Sequence, residues 1–201
     1  MFLRVRVSVP DQPGALGRVA VAMGYAGADI LEVVVLERAS GRALDDFIVT
    51  WPDAAPVSSL CDELAGIDGA HVAGVWHLAE VPSPHVDTAV FGGLREPADL
   101  VDLVPGAFSA DWAVLVDAGR VERASRRAPE PFEPPRPRDD GPHAFTAPGG
   151  TRYAAVPLAG RTLLAARVAA PPFHAAEVGR LAVLAAAVTT VARTACESSL
   201  A

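Results

Sequence analysis

Residues 2–9 alternate strictly. Leu3, Val5, Val7 and Val9 fall on one side, and Phe2, Arg4, Arg6 and Ser8 on the other, the period of a half-buried strand. The run breaks at Asp11-Gln12-Pro13-Gly14-Ala15-Leu16. Beyond it the spacing becomes helical: Leu16, Val19, Ala20 and Met23 share one stripe, which stops between Gly24 and Gly27. Asp11 reads as the helix N-cap, Pro13 as a first-turn residue and Gly14 as bare backbone.

The next elements complete a recognisable order. Residues 29–38 form a second strand, and Ser40-Gly41 marks a turn. Residues 43–51 alternate again, with Phe47, Val49 and Trp51 on one face and Asp46, Ile48 and Thr50 on the other. Val57, Leu60, Cys61 and Leu64 make a helical stripe ending at Gly66, and residues 70–79 make a last strand. The sum is βαββαβ, an α+β fold of ferredoxin-like plan, with two helices on one face of a four-stranded antiparallel sheet.

Within this frame the Asp11–Leu16 segment resembles the ACT domain, a small regulatory module that commonly binds amino acids. Gly27-Ala28-Asp29-Ile30 is similar to that family's Gly-x-Asn-Ile step into the second strand, with Asp29 in place of Asn. An ionised Asp cannot donate a hydrogen bond as an Asn amide does. The resemblance covers about residues 1–80. It implies ligand contacts at Asp11, Gln12, Pro13, Gly14, Ala15, Leu16, Asp29 and Ile30. A helix N-terminus offers free N–H groups to a carboxylate, and Asp11 or Asp29 offers a charge to an ammonium. The resemblance further implies a site between two copies of the domain.

Composition narrows the function classes. The chain has 201 residues, is 51% hydrophobic and carries a formal charge of -7. That charge argues against broad electrostatic binding to nucleic acid or to an anionic membrane. Two distant cysteines, Cys61 and Cys196, fit a reducing cytoplasm. The opening on a strand predicts no signal peptide. The longest apolar run, residues 181–192, is shorter than the ~20 residues of a membrane span. No phosphate loop, metal cluster, nucleophile elbow or Cys/His pair is legible, so no catalytic residue, no metal and no cofactor are assigned, and the chain reads as a non-enzyme. His71 and His77 share a strand face but lie about 20 Å apart, too far to share an ion. Asp45 and Asp46 point to opposite faces of one strand.

Two prolines in Val81-Pro82-Ser83-Pro84-His85 place a boundary there, giving units 1–81 and 86–201. In the second unit Glu96-Pro97 starts a helix, and Trp112 to Val116 and Arg120 to Arg123 are strands joined at Ala118-Gly119. Residues 125–142 read as an exposed, mobile Pro-rich loop. Thr151 to Pro157 and Thr162 to Val168 are strands joined at Ala159-Gly160, and a long helix runs from His174 to Cys196. The strand reaching Val156-Pro157-Leu158, the turn at Gly160, Pro172-Phe173 and the closing helix resemble a GAF domain. That resemblance implies an α/β unit with a central antiparallel sheet, here without a legible ligand signature.

Each singled-out residue has a plainer reading. Asp11 is a cap regardless of ligand, Asp29 is a strand start, and Cys61 is a core thiol. Arg4 and Arg6 pair with Asp46 at the surface, or form a dimer seam. The closing helix is apolar nearly all round and so is buried by its own sheet, by the first unit or by a second copy. The chain is thus expected to be a cytoplasmic, homodimeric regulatory protein that binds an amino acid or similar metabolite. The alternatives are a non-binding assembly module acting on a protein partner and an enzyme of unrecognised type.

Overall fold

The computed structural model describes residues 1–78, 96–136 and 141–199. The proposed boundary at residues 81–85 lies outside them. The chain divides into two compact units, Met1–Val81 and Pro82–Ala201. Together they form a mixed α+β architecture with two antiparallel sheets and, among the described residues, four α-helices.

In the first unit, β1 (Phe2–Pro10), α1 (Ala15–Ala26), β2 (Asp29–Ala39), β3 (Arg42–Thr50), α2 (Val57–Ala65) and β4 (His71–Leu78) follow the expected order. The sheet order is β2-β3-β1-β4, with β1 antiparallel to both neighbours. Leu3, Val5, Val7, Phe47 and Val49 are buried beneath Val19, Met23, Leu60 and Leu64 of the helices. Gly27 ends α1 in the left-handed region, where a Cβ would be disfavoured, and the Ala28 N–H turns back to the Met23 carbonyl at 2.9 Å. Cys61 is half-buried, and burial pushes its thiol up, away from reactive thiolate.

The opposite sheet face departs from expectation. Arg4 and Arg6 are not surface residues: they are 8% and 5% exposed. Both donate to Asp46, itself 2% exposed, Arg4 Nε at 2.9 Å and Arg6 Nε at 2.7 Å. Both guanidiniums also lie 5.5 Å from the centre of the Trp76 ring. Alternation assigned these residues to the outer face correctly; that this face is buried within the chain is a tertiary fact the period cannot carry. Ile48, on the same face, is 5% exposed.

The second unit begins with a single 3₁₀ turn, Pro97–Asp99, whose N-terminus is closed by reciprocal bonds between Glu96 and Asp99. Then come α3 (Leu100–Phe108), β5 (Trp112–Asp117), β6 (Arg120–Ala124), β7 (His143–Thr146), β8 (Arg152–Leu158), β9 (Arg161–Arg167) and α4 (Ala175–Ser199). The sheet order is β6-β5-β9-β8-β7. α3 and α4 bury one face of the sheet through Val101, Val104, Leu181 and Val188.

Two expectations fail here. Residues 125–142 are not simply an exposed strap: Phe132 meets Trp112 edge-on at 4.8 Å, and Ala128 packs on the same cluster. Residues 137–140 lie outside the described segments. A strand, β7, also follows where the sequence pattern gave none. Nor is the closing helix buried all round. Val178, Leu181, Leu184, Ala185 and Val188 pack inward, while Val183 is 71% exposed. Ala175–Thr194 is long and apolar enough to cross a membrane, but its inward stripe is the core of this unit. Cys196 falls outside the described side chains.

Arg167 joins the layers. Fully buried, it donates to Glu177 Oε1 at 2.6 Å and to the carbonyls of Phe108 at 2.6 Å and Ser109 at 3.1 Å. Its guanidinium also lies 3.9 Å from the centre of the Phe173 ring. The end of α3, the end of β9 and the start of α4 therefore meet on one side chain.

Candidate functional site

β1 ends at Pro10, and the chain turns at once. Asp11 N–H donates to the Gly41 carbonyl at 2.9 Å, and Gln12 N–H to Pro10 at 2.9 Å. Gly14 sits at φ 82, ψ -5, in the left-handed region, and it, not Asp11, is the N-cap of α1. Pro13 therefore precedes the cap instead of lying in the first turn. The helix start slips because Ala15 N–H closes on the Gln12 carbonyl at 3.1 Å and no side-chain cap forms. Among the described residues the N–H groups of Gly14, Leu16 and Gly17 have no backbone acceptor outside the helix, the usual condition of a first turn. A Cβ on Gly14 would meet only Arg18 Nη1, at 3.9 Å, so the position is spatially open but conformationally restrictive.

Asp11 is held by Arg38 instead. The Arg38 Nη2 donates to Oδ1 at 2.7 Å, and its Nε lies 3.1 Å from both oxygens. Arg38 is largely exposed, so the pair is worth under about 1 kcal/mol. Gln12, Pro13 and Leu16 are exposed, and Ala15 is buried in the core. Gly14, Gly17 and Arg18 border an open groove of about 490 Å³ that Tyr25 and Glu63 also line. Arg18 makes no ion pair or hydrogen bond through its side chain among the described residues.

Asp29 and Ile30 lie elsewhere. Asp29 is exposed and pairs in register with Thr50, whereas Arg38 stands near the turn at the other end of β2. Nine residues of strand separate Asp29 from Arg38, about 30 Å at strand rise. Ile30 packs against the first unit's core. One copy of the domain therefore brings together Asp11 to Leu16, Arg18 and Arg38, and leaves Asp29 and Ile30 at the far end.

Sequence reasoning placed Asp45 on a strand face opposite Asp46 but missed its burial. Asp45 is 2% exposed, and its Oδ1 is enclosed with no hydrogen-bond partner among the described residues. Burial pushes its carboxyl up; Asp11 and Asp46 push the same way, and Arg38 opposes them. The signal was available: Asp45 shares strand parity with Ala43, Phe47 and Val49, so an acid stands in an apolar row. A raised folded pKa stabilises the fold at low pH, and that contribution is lost as pH rises from the ordinary carboxylate value through the raised one. Asp45→Asn is therefore expected to be more stable than wild type at pH 7. The advantage should vanish below the ordinary carboxylate range, as checked by urea denaturation at both pH values.

Among the described residues no cluster of three or more His, Cys, Asp or Glu side chains is placed to hold a metal. No protein-family model matches the chain, and no curated protein sequence matches it either. Solved structures show distant likenesses. A formyltetrahydrofolate deformylase from Pseudomonas putida KT2440 is 13% identical over 45% of this chain, with a TM-score of 0.33. The chain spans 36% of that protein's length. The ACT domain from GTP pyrophosphokinase of Chlorobium tepidum is 15% identical, over 42% of this chain and 93% of its own, with a TM-score of 0.33. The ligand-free regulatory subunit of aspartate kinase from Thermus thermophilus is 14% identical over 96% of each chain, with a TM-score of 0.30.

Proposed function

We propose that this chain is a regulatory, non-catalytic protein whose ACT-like first unit binds an amino acid or a similar small metabolite at Asp11 to Leu16. The observation that carries the reading is the local geometry at the start of α1. A left-handed Gly14, open N–H groups and an Arg18 guanidinium without a partner among the described residues suit a carboxylate, while Asp11 stands alongside for an ammonium. In this reading the ligand's ammonium competes with Arg38 for Asp11.

Asp29 and Ile30 enter through a second copy. β2 is the sheet edge, and Leu31, Val33 and Val35 are 45%, 39% and 50% exposed along it. An apolar edge strand of this kind is a template for pairing. Two-fold antiparallel pairing centred on Val34 sets Asp29 of a second copy opposite Ala39, beside the Asp11–Arg38 pair. The ligand then favours the paired state because only that state supplies both walls of the site. A cytoplasmic location and a GAF-like second unit, with its five-stranded antiparallel sheet and closing helix, belong to the same proposal.

The exposed edge also favours a second reading, in which the domain only assembles chains and the effector is another protein. Light scattering separates assembly from its absence: a homodimer is expected, and a monomer at every concentration, with and without amino acids, contradicts both readings. A thermal-shift screen of amino acids then separates the two, since a ligand at 100 times its dissociation constant adds about 2.7 kcal/mol.

A further inference from the structure

On the helix-covered face of the first unit's sheet, an acid stands in an apolar row: Ala43, Asp45, Phe47 and Val49 of β3. Its neighbours across the strand are fixed by register. Val35 of β2 lies opposite Asp45, and Arg38 lies opposite Ala43. Directly opposed residues point to the same face, so Arg38 and Asp45 are diagonal neighbours on one side of the sheet. Diagonal neighbours stand about 7–8 Å apart, within reach of a long side chain. Ala43, the residue beneath Arg38, carries only a methyl group and leaves the way to Asp45 short.

Arg38 thus has two acids within reach and holds one of them. Its Nη2 donates to Asp11 at 2.7 Å, while Asp45 Oδ1 is enclosed with no hydrogen-bond partner among the described residues. Burial pushes the Asp45 carboxyl up, Asp11 and Asp46 add to that, and Arg38 opposes them. The other charged groups nearby are turned away. Arg4 and Arg6 pair with Asp46 on the opposite face, and Glu37, opposite Leu44, falls on that face too. Arg18 of α1 and Asp62 and Glu63 of α2 are exposed. Among the described residues Arg38 is therefore the cation placed to answer Asp45.

We infer that Asp45 is the second seat of the Arg38 guanidinium: an ammonium that takes Asp11 sends Arg38 across to Asp45, and the site opens by exchanging one ion pair for another. This rests on the reading of Asp11 as the seat of the ligand's ammonium. The exchange strands no charge. Asp45 gives its proton to solvent, and the guanidinium takes the proton's place on the carboxylate. Ligand binding is thereby tied to proton release. It tightens as pH rises through the raised Asp45 value; below that value the proton holds the second seat and Arg38 stays on Asp11.

The test needs no ligand, because Asp11→Asn removes the first seat outright. NMR titration of the Asp45 side-chain carboxyl is followed in the full chain as wild type, Asp11→Asn, Arg38→Gln and the double variant. Asp11 and Arg38 are both exposed, so the variants keep the fold. In the wild-type background Arg38→Gln should raise the Asp45 titration only slightly, since Arg38 is held at Asp11. In the Asp11→Asn background the same substitution should raise it by about one pH unit or more beyond that, the effect of losing a directly paired cation. Loss of the Asp11 charge itself is common to both members of the second comparison and cancels. An excess smaller than about one unit overturns the inference, because Arg38 then does not move to Asp45 when Asp11 is taken from it. An excess of that size with no amino acid binding the loop leaves the exchange standing and removes the ligand reading. Amino-acid binding without the excess does the reverse.

Discussion

Arg167→Met is expected to lower the stability of the second unit by about 3–5 kcal/mol, the cost of breaking a buried ion pair by removing one partner. The loss follows from what remains. Glu177 is 6% exposed and would keep its charge in a buried site, having lost the Arg167 guanidinium, while the His174 N–H still donates to it at 2.8 Å. The carbonyls of Phe108 and Ser109 would lose the guanidinium that ties the end of α3 to β9. Methionine fills similar volume, so the loss reports hydrogen bonds and charge more than a cavity. Adding Glu177→Leu should recover a large part of it, because a buried pair replaced by apolar groups is often near neutral. Chemical denaturation of the three variants checks both statements. A change below about 1 kcal/mol for the single variant, the range of an exposed pair, contradicts this role for Arg167.

The second large effect belongs to the first unit. Asp46 accepts from both Arg4 and Arg6 in a site where none of the three is more than 8% exposed. Asp46→Ala removes one partner of a buried, shared ion pair, and a loss of about 3–5 kcal/mol is expected. Arg38→Ala, which breaks an exposed pair with Asp11 on the same sheet, should cost under about 1 kcal/mol. Denaturation followed by tryptophan emission measures both, with Trp76 lying against the two arginines. The contrast between them is the point: equal losses would mean that burial does not decide the strength of these pairs.

How much of this was legible in the sequence depended on range. The strands β1 and β3 and the helix α1 were legible because alternation and helical stripes are local periods, and the βαββαβ order follows from their sequence. The capping role given to Asp11 failed because a helix start depends on where backbone bonds close, and Gly14 in the left-handed region moved it by three residues. The buried pairing of Arg4 and Arg6 with Asp46 and the docking of Phe132 on Trp112 are long-range contacts that no local pattern reports. Proline-rich composition hid Phe132, a single apolar anchor in a polar run. β7, with four residues, is too short to show a period. The distance between Asp11 and Asp29 was legible in principle, since antiparallel order puts the start of β2 at the far end of the sheet from the end of β1.

The central claim is that Asp11 to Leu16 receives an amino acid. Calorimetric titration of the amino acids into wild type, Asp11→Ala and Gly14→Val tests it most directly. Gly14→Val puts a branched side chain at φ 82 and over the open N–H groups, and Asp11→Ala removes a charge-assisted contact worth about 1.5–3 kcal/mol. The account predicts an amino acid that binds wild type and binds each variant at least about tenfold more weakly, beyond any change in apo melting temperature. One affinity shared by all three proteins would contradict it.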